Sequence, residues 1–388
     1  MDASLYTTLQ ETRGTAESLV RQLAPAERRR MHHGDLTPLL WHLGHLLYVE
    51  QQWIGERLGG LAHDAERARL FRPDGLRKSE RGERMPDLAV LSESWKEWDG
   101  RCRALLAAAE SACPGHPLHA RDFILRFLIQ YHGQHVETMR QALTAYALNE
   151  DAGRFVPSQP FAPAPLSARY RAWPGGPCAI GSDDASSYDN ERPAHTLTLP
   201  AFAIAEYPVS NAAYLGFMED DGYRNDRYWT HEGRRWRDHT AAGSPWHWRR
   251  NAQGQWYGVA HSGPFELQAD APVAGICAYE ARAFARYARA RLPHEAEWEA
   301  AARAGLLQGV GQVWEWCENR FYPYPGFRAF PYRGYSVPWF DGAHSSLRGA
   351  SACSVPSIRR PSFRNFHTAD KRHIFSGVRL CRPLYPMH

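Results

Sequence analysis

Tyr131-His132-Gly133-Gln134-His135-Val136-Glu137-Thr138-Met139 places two imidazoles, a phenol, an amide and a carboxylate within little more than two helical turns. The surrounding run, Ala120–Ala147, carries apolar residues at three- and four-residue spacing, the pattern of a helix with one face in a core. Residues three or four apart on such a helix share a face, so His135 can point with either His132 or Tyr131 into one space. Upstream, Trp41-His42-Leu43-Gly44-His45-Leu46-Leu47-Tyr48-Val49-Glu50 offers a second His pair on another helical run. Imidazoles drawn from two helices of a bundle can hold a transition metal.

Working outward, Thr8–Leu23, Pro38–Leu58 and Leu88–Ala112 repeat the helical spacing. Together with 120–147 they predict an antiparallel four-helix bundle over residues 1–149. Connections such as Phe71-Arg72-Pro73-Asp74-Gly75 collect the helix breakers. Residues 150–169 lose the helical period and carry Pro157, Pro160, Pro163 and Pro165, the texture of a stiff linker. Residues 170–388 change again, to short alternating runs rich in Gly, Pro, Trp and Tyr. Thr196–Leu199 and Ala203–Ala205 read as strands. Asn211–Met218, capped by Ser210, and Tyr279–Arg291 read as helices. Another follows Pro293, with Glu295 and Glu297 in its first turn, where the helix dipole favours acids. The fold class expected is α+β.

A chain of 388 residues with 44% hydrophobic content has room for two or three ordinary domains. No apolar run approaches the roughly 20 residues needed to cross a bilayer, and Met1–Gln10 lacks a secretory pattern, so a cytoplasmic location without a membrane partner is expected. The net charge is only +4, Lys occurs only at Lys78, Lys96 and Lys371, and the arginines are scattered, so nucleic acid is not an expected partner. The seven cysteines (Cys102, Cys113, Cys178, Cys277, Cys317, Cys353, Cys381) form no CxxC pair and read as reduced, structural thiols.

Four motifs of the second half occur in order: Tyr207-Pro208-Val209-Ser210-Asn211, Arg291-Leu292-Pro293-His294-Glu295-Ala296-Glu297-Trp298-Glu299, Val313-Trp314-Glu315-Trp316 and Leu347-Arg348-Gly349-Ala350-Ser351. They resemble the formylglycine-generating-enzyme-like fold, a variant of the C-type lectin fold. Those enzymes use a cysteine pair after the last motif, and this chain has only Cys353 there, which disfavours that activity. The N-terminal bundle resembles a DinB-type domain. The run ending at His45, the helix around His135, Tyr188-Asp189-Asn190-Glu191-Arg192-Pro193-Ala194-His195 and Arg360-Pro361-Ser362-Phe363-Arg364-Asn365-Phe366 occur together. That combination resembles the ergothioneine-type sulfoxide synthases and their relatives, the selenoneine synthases. The resemblance implies a mononuclear non-haem Fe(II) enzyme. It would use O₂ to join a thiol or a selenosugar donor to imidazole C2 of hercynine (histidine betaine).

Residue by residue, the resemblance puts the first iron ligand on His45, with His42 where the family has Asp. The family's other two ligands lie on one helix as His-x-x-x-His. His135 matches the second and Tyr131 falls on the first, with His132 beside it. Around the helix, His132 lies about 60° from His135 and Tyr131 about 40° on the other side. Neutral imidazole suits Fe(II) better than a protonated phenol, so His45, His132 and His135 are the expected ligands. Tyr131 stands beside the metal or competes as the third ligand. Gln134, Arg364, Asn365, Phe366 and His367 fall on substrate-binding positions, with Phe366 offering an aromatic face to the quaternary ammonium. Tyr332 is the expected catalytic phenol, a proton donor, with Tyr335 as the fallback. The donor pocket departs most. Leu76-Arg77-Lys78-Ser79-Glu80-Arg81 lacks the family's Arg-x-x-Arg, and His367 replaces an Asp suited to an α-ammonium. A donor without an amino-acid head group is therefore plausible. Two other readings compete: a DinB-type Zn-dependent thiol transferase, and a carbohydrate-binding lectin-like module.

Overall fold

The computed structural model describes residues 2–112, 115–159 and 161–384; Cys113 and Pro160 lie outside the described residues. The chain divides into two compact units, Met1–Asn149 and Glu150–His388.

In the first unit the long helices are α1 (Ala3–Arg21), α2 (Leu39–Glu50), α4 (Leu88–Ala112) and α5 (Phe123–Glu150); a short α3 (Ala65–Phe71) joins them. Asp2 starts α1 by accepting the Ser4 N–H at 2.8 Å. All of α2 is buried, as expected of a helix that is apolar on every side, and it runs on into a π-helical segment, Gln51–Leu58. Gly44 gives α2 its close approach to α3, since a Cβ there would meet the Phe71 ring at 2.0 Å.

One residue from each long helix meets in a polar knot inside the bundle. Arg13 of α1 and Glu50 of α2 form an ion pair, with Arg13 Nε donating to Glu50 at 2.7 Å. Trp98 Nε1 of α4 donates to the same carboxylate at 2.9 Å. His132 of α5 places Nε2 3.4 Å from Glu50 Oε1. Glu50 and His132 are 0% exposed, and neither ring nitrogen of His132 is hydrogen-bonded.

The second unit opens with residues 151–169, whose described residues form no helix or strand and contact the unit itself. Asn251 Nδ2 donates to the Phe155 carbonyl at 3.1 Å, and Ala164 N–H to the Ala212 carbonyl at 3.0 Å. Strand β1 (Tyr170–Trp173) pairs antiparallel with β4 (Phe202–Ala205), whose other edge takes β12 (Cys381–Pro383). A hairpin joins β2 (Gly176–Ile180) to β3 (His195–Leu199). A small sheet follows, β5 (Trp248–Arg250), β6 (Trp256–Ala260) and β7 (Gly263–Phe265). The largest sheet runs β10 (Asn365–Thr368), β9 (His344–Arg348), β8 (Trp314–Arg320), β11 (Ser376–Gly377), with β10 on an edge. Helix α9 (Glu295–Arg303) packs on β2, β4, β8 and β9, while α6 (Asn211–Glu219) and α7 (His231–Thr240) pack on α8 (Ala278–Tyr287). Ser210 caps α6 and Glu295 and Glu297 lie in the first turn of α9, as the sequence predicts. The core carries buried ion pairs: Arg348 with Glu299 at 2.9 Å, Arg364 with Glu295 at 2.7 Å and Arg379 with Glu315 at 2.6 Å.

His247 is buried against Trp246 and Phe375, and its Nε2 has no partner. Burial, then the nearby charges of Arg372 and Arg249, lowers its pKa to about 3. The unfolded chain takes up this proton below pH 6.5 and the folded chain does not. Stability held by neutral His247 is therefore complete above pH 6.5 and lost as pH falls toward 3. His247→Gln should flatten the acid limb of unfolding titrations between pH 7 and 5, where a single such group contributes at most about 1.4 kcal/mol per pH unit. An unchanged slope would mean that His247 takes up its proton without unfolding.

Candidate active site

The bundle brings four of the singled-out side chains together on α2 and α5. The ring centroids of His45 and His135 are 4.8 Å apart, those of Tyr131 and His135 4.8 Å, and those of His42 and His135 5.2 Å. Their spacing in sequence explains this: His42 and His45 are three apart on α2, Tyr131 and His135 four apart on α5, so each pair shares a face.

Helix α3 sets the pose of His45. The last carbonyls of a helix have no partner within it. His45 Nδ1–H donates to the Phe71 carbonyl at 2.6 Å, and Trp41 Nε1–H to the Leu70 carbonyl at 3.0 Å. Trp41 stacks on His45, 4.5 Å between centroids, with the Arg81 guanidinium 4.3 Å over the indole's other face. Committing Nδ1–H to a carbonyl leaves the Nε2 lone pair of His45 pointing into the cluster. There it accepts from the Tyr131 hydroxyl at 2.8 Å.

His42 Nδ1 and His135 Nδ1 are 2.9 Å apart. Metal–nitrogen bonds of about 2.1 Å set at right angles put neighbouring ligand atoms about 3 Å apart, so each close contact, 2.9 Å and 2.8 Å, has by itself the spacing of two adjacent donors. The other nitrogen of His42, Nε2, is buried without a partner. Burial lowers the pKa of His42 to about 3 and of His45 to about 4, and holds His135 well below the usual imidazole value. All three are neutral at physiological pH, the form that donates to a metal. Neutral imidazoles are suitable donors for a transition ion, but the ring nitrogens of His42, His45 and His135 do not all lie within 4.8 Å of one another.

His132, an expected ligand, is not brought into this group. Its ring turns to Glu50 and the edge of Trp95, 6.3 Å between centroids. It is buried 3.4 Å from Glu50 with neither ring nitrogen hydrogen-bonded, and burial, then the charge of Arg13, holds its pKa well below the usual imidazole value. His42, which sequence reasoning left outside the ligand set, stands in the cluster instead. The signal was present: His42 is three residues before His45, on its face. Gln134 follows on α5, half-buried, one residue before His135.

In the second unit, Arg364 is also reassigned from the expected substrate contact. It is 2% exposed and fully engaged, donating to both oxygens of Glu295 at 2.7 and 2.8 Å and to the carbonyls of Asn190 and Tyr322. It braces the start of β10. Along that strand alternate residues point to opposite faces. Asn365 and His367 share one face; Phe366 lies on the other, stacked on Phe321 at 4.3 Å with Trp339 at 5.8 Å. His367 faces His373, 6.4 Å between rings. Tyr332 stands on the loop between β8 and β9, 36% exposed, while Tyr335 is buried against Tyr188.

Known proteins share both halves. Residues 8–139 match the DinB superfamily, and residues 171–309 and 304–384 match the sulfatase-modifying factor enzyme 1-like domain, which is the C-type-lectin-like fold expected above. The protein described as hercynine oxygenase in Mycolicibacterium smegmatis is 32% identical over 418 residues, 92% of this chain and 93% of that protein. Its counterpart in Mycobacterium tuberculosis is 30% identical, over 89% of this chain and 91% of that protein. The formylglycine-generating enzyme of Thermomonospora curvata is 36% identical over 152 residues, but this covers only 35% of this chain and 49% of that enzyme.

Proposed function

Because the chain belongs to the family of the hercynine oxygenases, the ergothioneine-type sulfoxide synthases, we propose that it catalyses O₂-dependent bond formation at imidazole C2 of hercynine. The reaction breaks the C2–H bond and the S–H or Se–H bond of the donor and forms C2–S or C2–Se while reducing O₂. With one oxygen kept on sulfur or selenium as the sulfoxide or selenoxide, the other leaves as water with both hydrogens, and without that oxygen transfer O₂ leaves as hydrogen peroxide.

The observation that carries this reading is the meeting of His42, His45, Tyr131 and His135 on α2 and α5. His42, His45 and His135 would hold Fe(II), with Tyr131 beside or on the ion; the ion would supply the one-electron chemistry that spin-paired substrates need to react with O₂. Phe71 and Trp41 keep Nε2 of His45 directed inward. Tyr332 donates a proton: burial, reinforced by the charge of Asp189, raises its pKa to about 12, so the phenol is protonated at neutral pH. In the second unit Phe366 and Asn365 are assigned to hercynine, the first through the attraction of a quaternary ammonium to an aromatic face. A donor lacking an amino-acid head group suits His367, since a neutral imidazole holds an α-ammonium less well than a carboxylate does. This favours the selenosugar over γ-glutamylcysteine.

Anaerobically purified protein loaded with Fe(II) and given hercynine, O₂ and each donor in turn should consume O₂ only in step with hercynine–donor adduct. O₂ uptake without adduct across thiols and selenosugars sinks the proposal. Adduct formed with Zn²⁺ and no O₂ would establish the thiol transferase instead.

A further inference from the structure

The loop that carries Tyr332 is held at both ends by a single buried carboxyl group. Asp189 Oδ1 accepts the Ser336 hydroxyl at 2.5 Å, and Oδ2 accepts the Phe330 N–H at 3.3 Å. Ser336 in turn accepts from Asn190 Nδ2 at 3.1 Å. Asp189 is 2% exposed and Ser336 0%. A third hold comes from Tyr188, whose ring stacks on Tyr335 with centroids 4.3 Å apart. Between these anchors, Gly334 lies under the Tyr332 ring: a Cβ there would come within 2.9 Å of Cε2. The turn 188–190 therefore grips the loop before, within and after the segment that presents the phenol. Tyr332, Arg333 and Gly334 are the exposed residues between these anchors.

We propose that Asp189 is a positioning residue for Tyr332, fixing through Phe330 and Ser336 the loop that presents the phenol to the reacting hercynine and donor. This rests on the reading of Tyr332 as the proton donor. A loop free at either end would leave the ring in place for only part of the time, and misplacement of a reacting group by about 1 Å costs up to about 100-fold in rate. Asparagine at 189 can keep both holds. Its carbonyl accepts from Phe330, and its amide donates to the Ser336 hydroxyl.

Full-length Fe(II) enzyme carries the test. Asp189→Ala and Ser336→Ala should lower kcat about 10- to 100-fold while KM for hercynine moves less than about twofold. Asp189→Asn should restore most of kcat. Tyr332→Phe/Asp189→Ala should be no slower than Tyr332→Phe alone, because residues acting through one group are not additive. Without any metal, trypsin should cut after Arg333 faster in Asp189→Ala and Ser336→Ala than in the native chain or in Tyr332→Phe. Fully additive losses, or Ser336→Ala with native kcat and native cleavage, overturn the positioning role and leave Tyr332 standing. If Tyr332→Phe itself has native turnover, the assignment of Tyr332 fails, and the proposal with it. Should Asp189→Ala not fold, Ser336→Ala alone and combined with Tyr332→Phe decides the matter.

Discussion

His42→Ala should strip the bound metal and reduce turnover by more than about 100-fold, the upper range for merely outer-shell partners of metal ligands. His132→Ala should keep its metal. It should instead lose stability, about 2–5 kcal/mol for emptying a buried site of this size. The contrast follows from where the two rings lie. His42 shares the α2 face with His45 and approaches His135 at 2.9 Å, whereas His132 is sealed beside Glu50. Metal content per chain, measured after loading and desalting, separates the variants without any need for turnover. The reverse pattern, metal lost from His132→Ala and retained by His42→Ala, would restore His45, His132 and His135 as the ligands.

The second large effect concerns the polar knot. Glu50→Ala should destabilise the full chain by about 3–5 kcal/mol, because it leaves the Arg13 charge buried without its main partner. Arg13 retains Asp99 at 2.7 Å, but that carboxylate is partly exposed and screened. Arg13→Met combined with Glu50→Leu should recover much of the loss, since an apolar pair of similar volume carries no desolvation penalty. Denaturant midpoints at unchanged slope are the measurement. Equal destabilisation of the single and double variants would show that the knot acts through packing alone. A further consequence touches the candidate metal centre. His132 packs beside Glu50 on the helix that carries Tyr131 and His135, so Glu50→Ala should weaken metal retention although Glu50 is not among the expected ligands.

Much of the architecture can be read from apolar spacing. Helices α1, α2, α4 and α5 are long enough for the 3.6-residue period to stand out, and Ser210 and Glu295 mark the starts of α6 and α9 by capping chemistry. Helix α3, with seven residues, and α7, rich in Arg and His, carry too weak a stripe to be seen. Yet α3 supplies the carbonyl that orients His45, so a missed element is part of the site. In the second unit the motif around 360–367 marks the right strand. Its residues then split three ways: Arg364 into the core, Phe366 to one face, and Asn365 and His367 to the other. A motif gives an order of residues, and the pleat of the strand decides which way each one points.

The amino-acid sequence by itself determined the two-part organisation, the helical and strand periods, and the gathering of imidazoles and a phenol on two helices of one bundle. It could place His132 and Tyr131 only within a small rotation of each other on opposite sides of His135. The tertiary structure brings Tyr131 to His45 and buries His132 beside Glu50. A carboxylate on α2 and a guanidinium on α1, 37 positions apart in sequence, pair in the dry centre of the bundle. Beside them His132 is buried 3.4 Å from Glu50, while Tyr131 and His135 meet His45 and His42. The Arg13–Glu50 pairing depends on long-range electrostatics in a low-dielectric core, which no local pattern along the chain encodes.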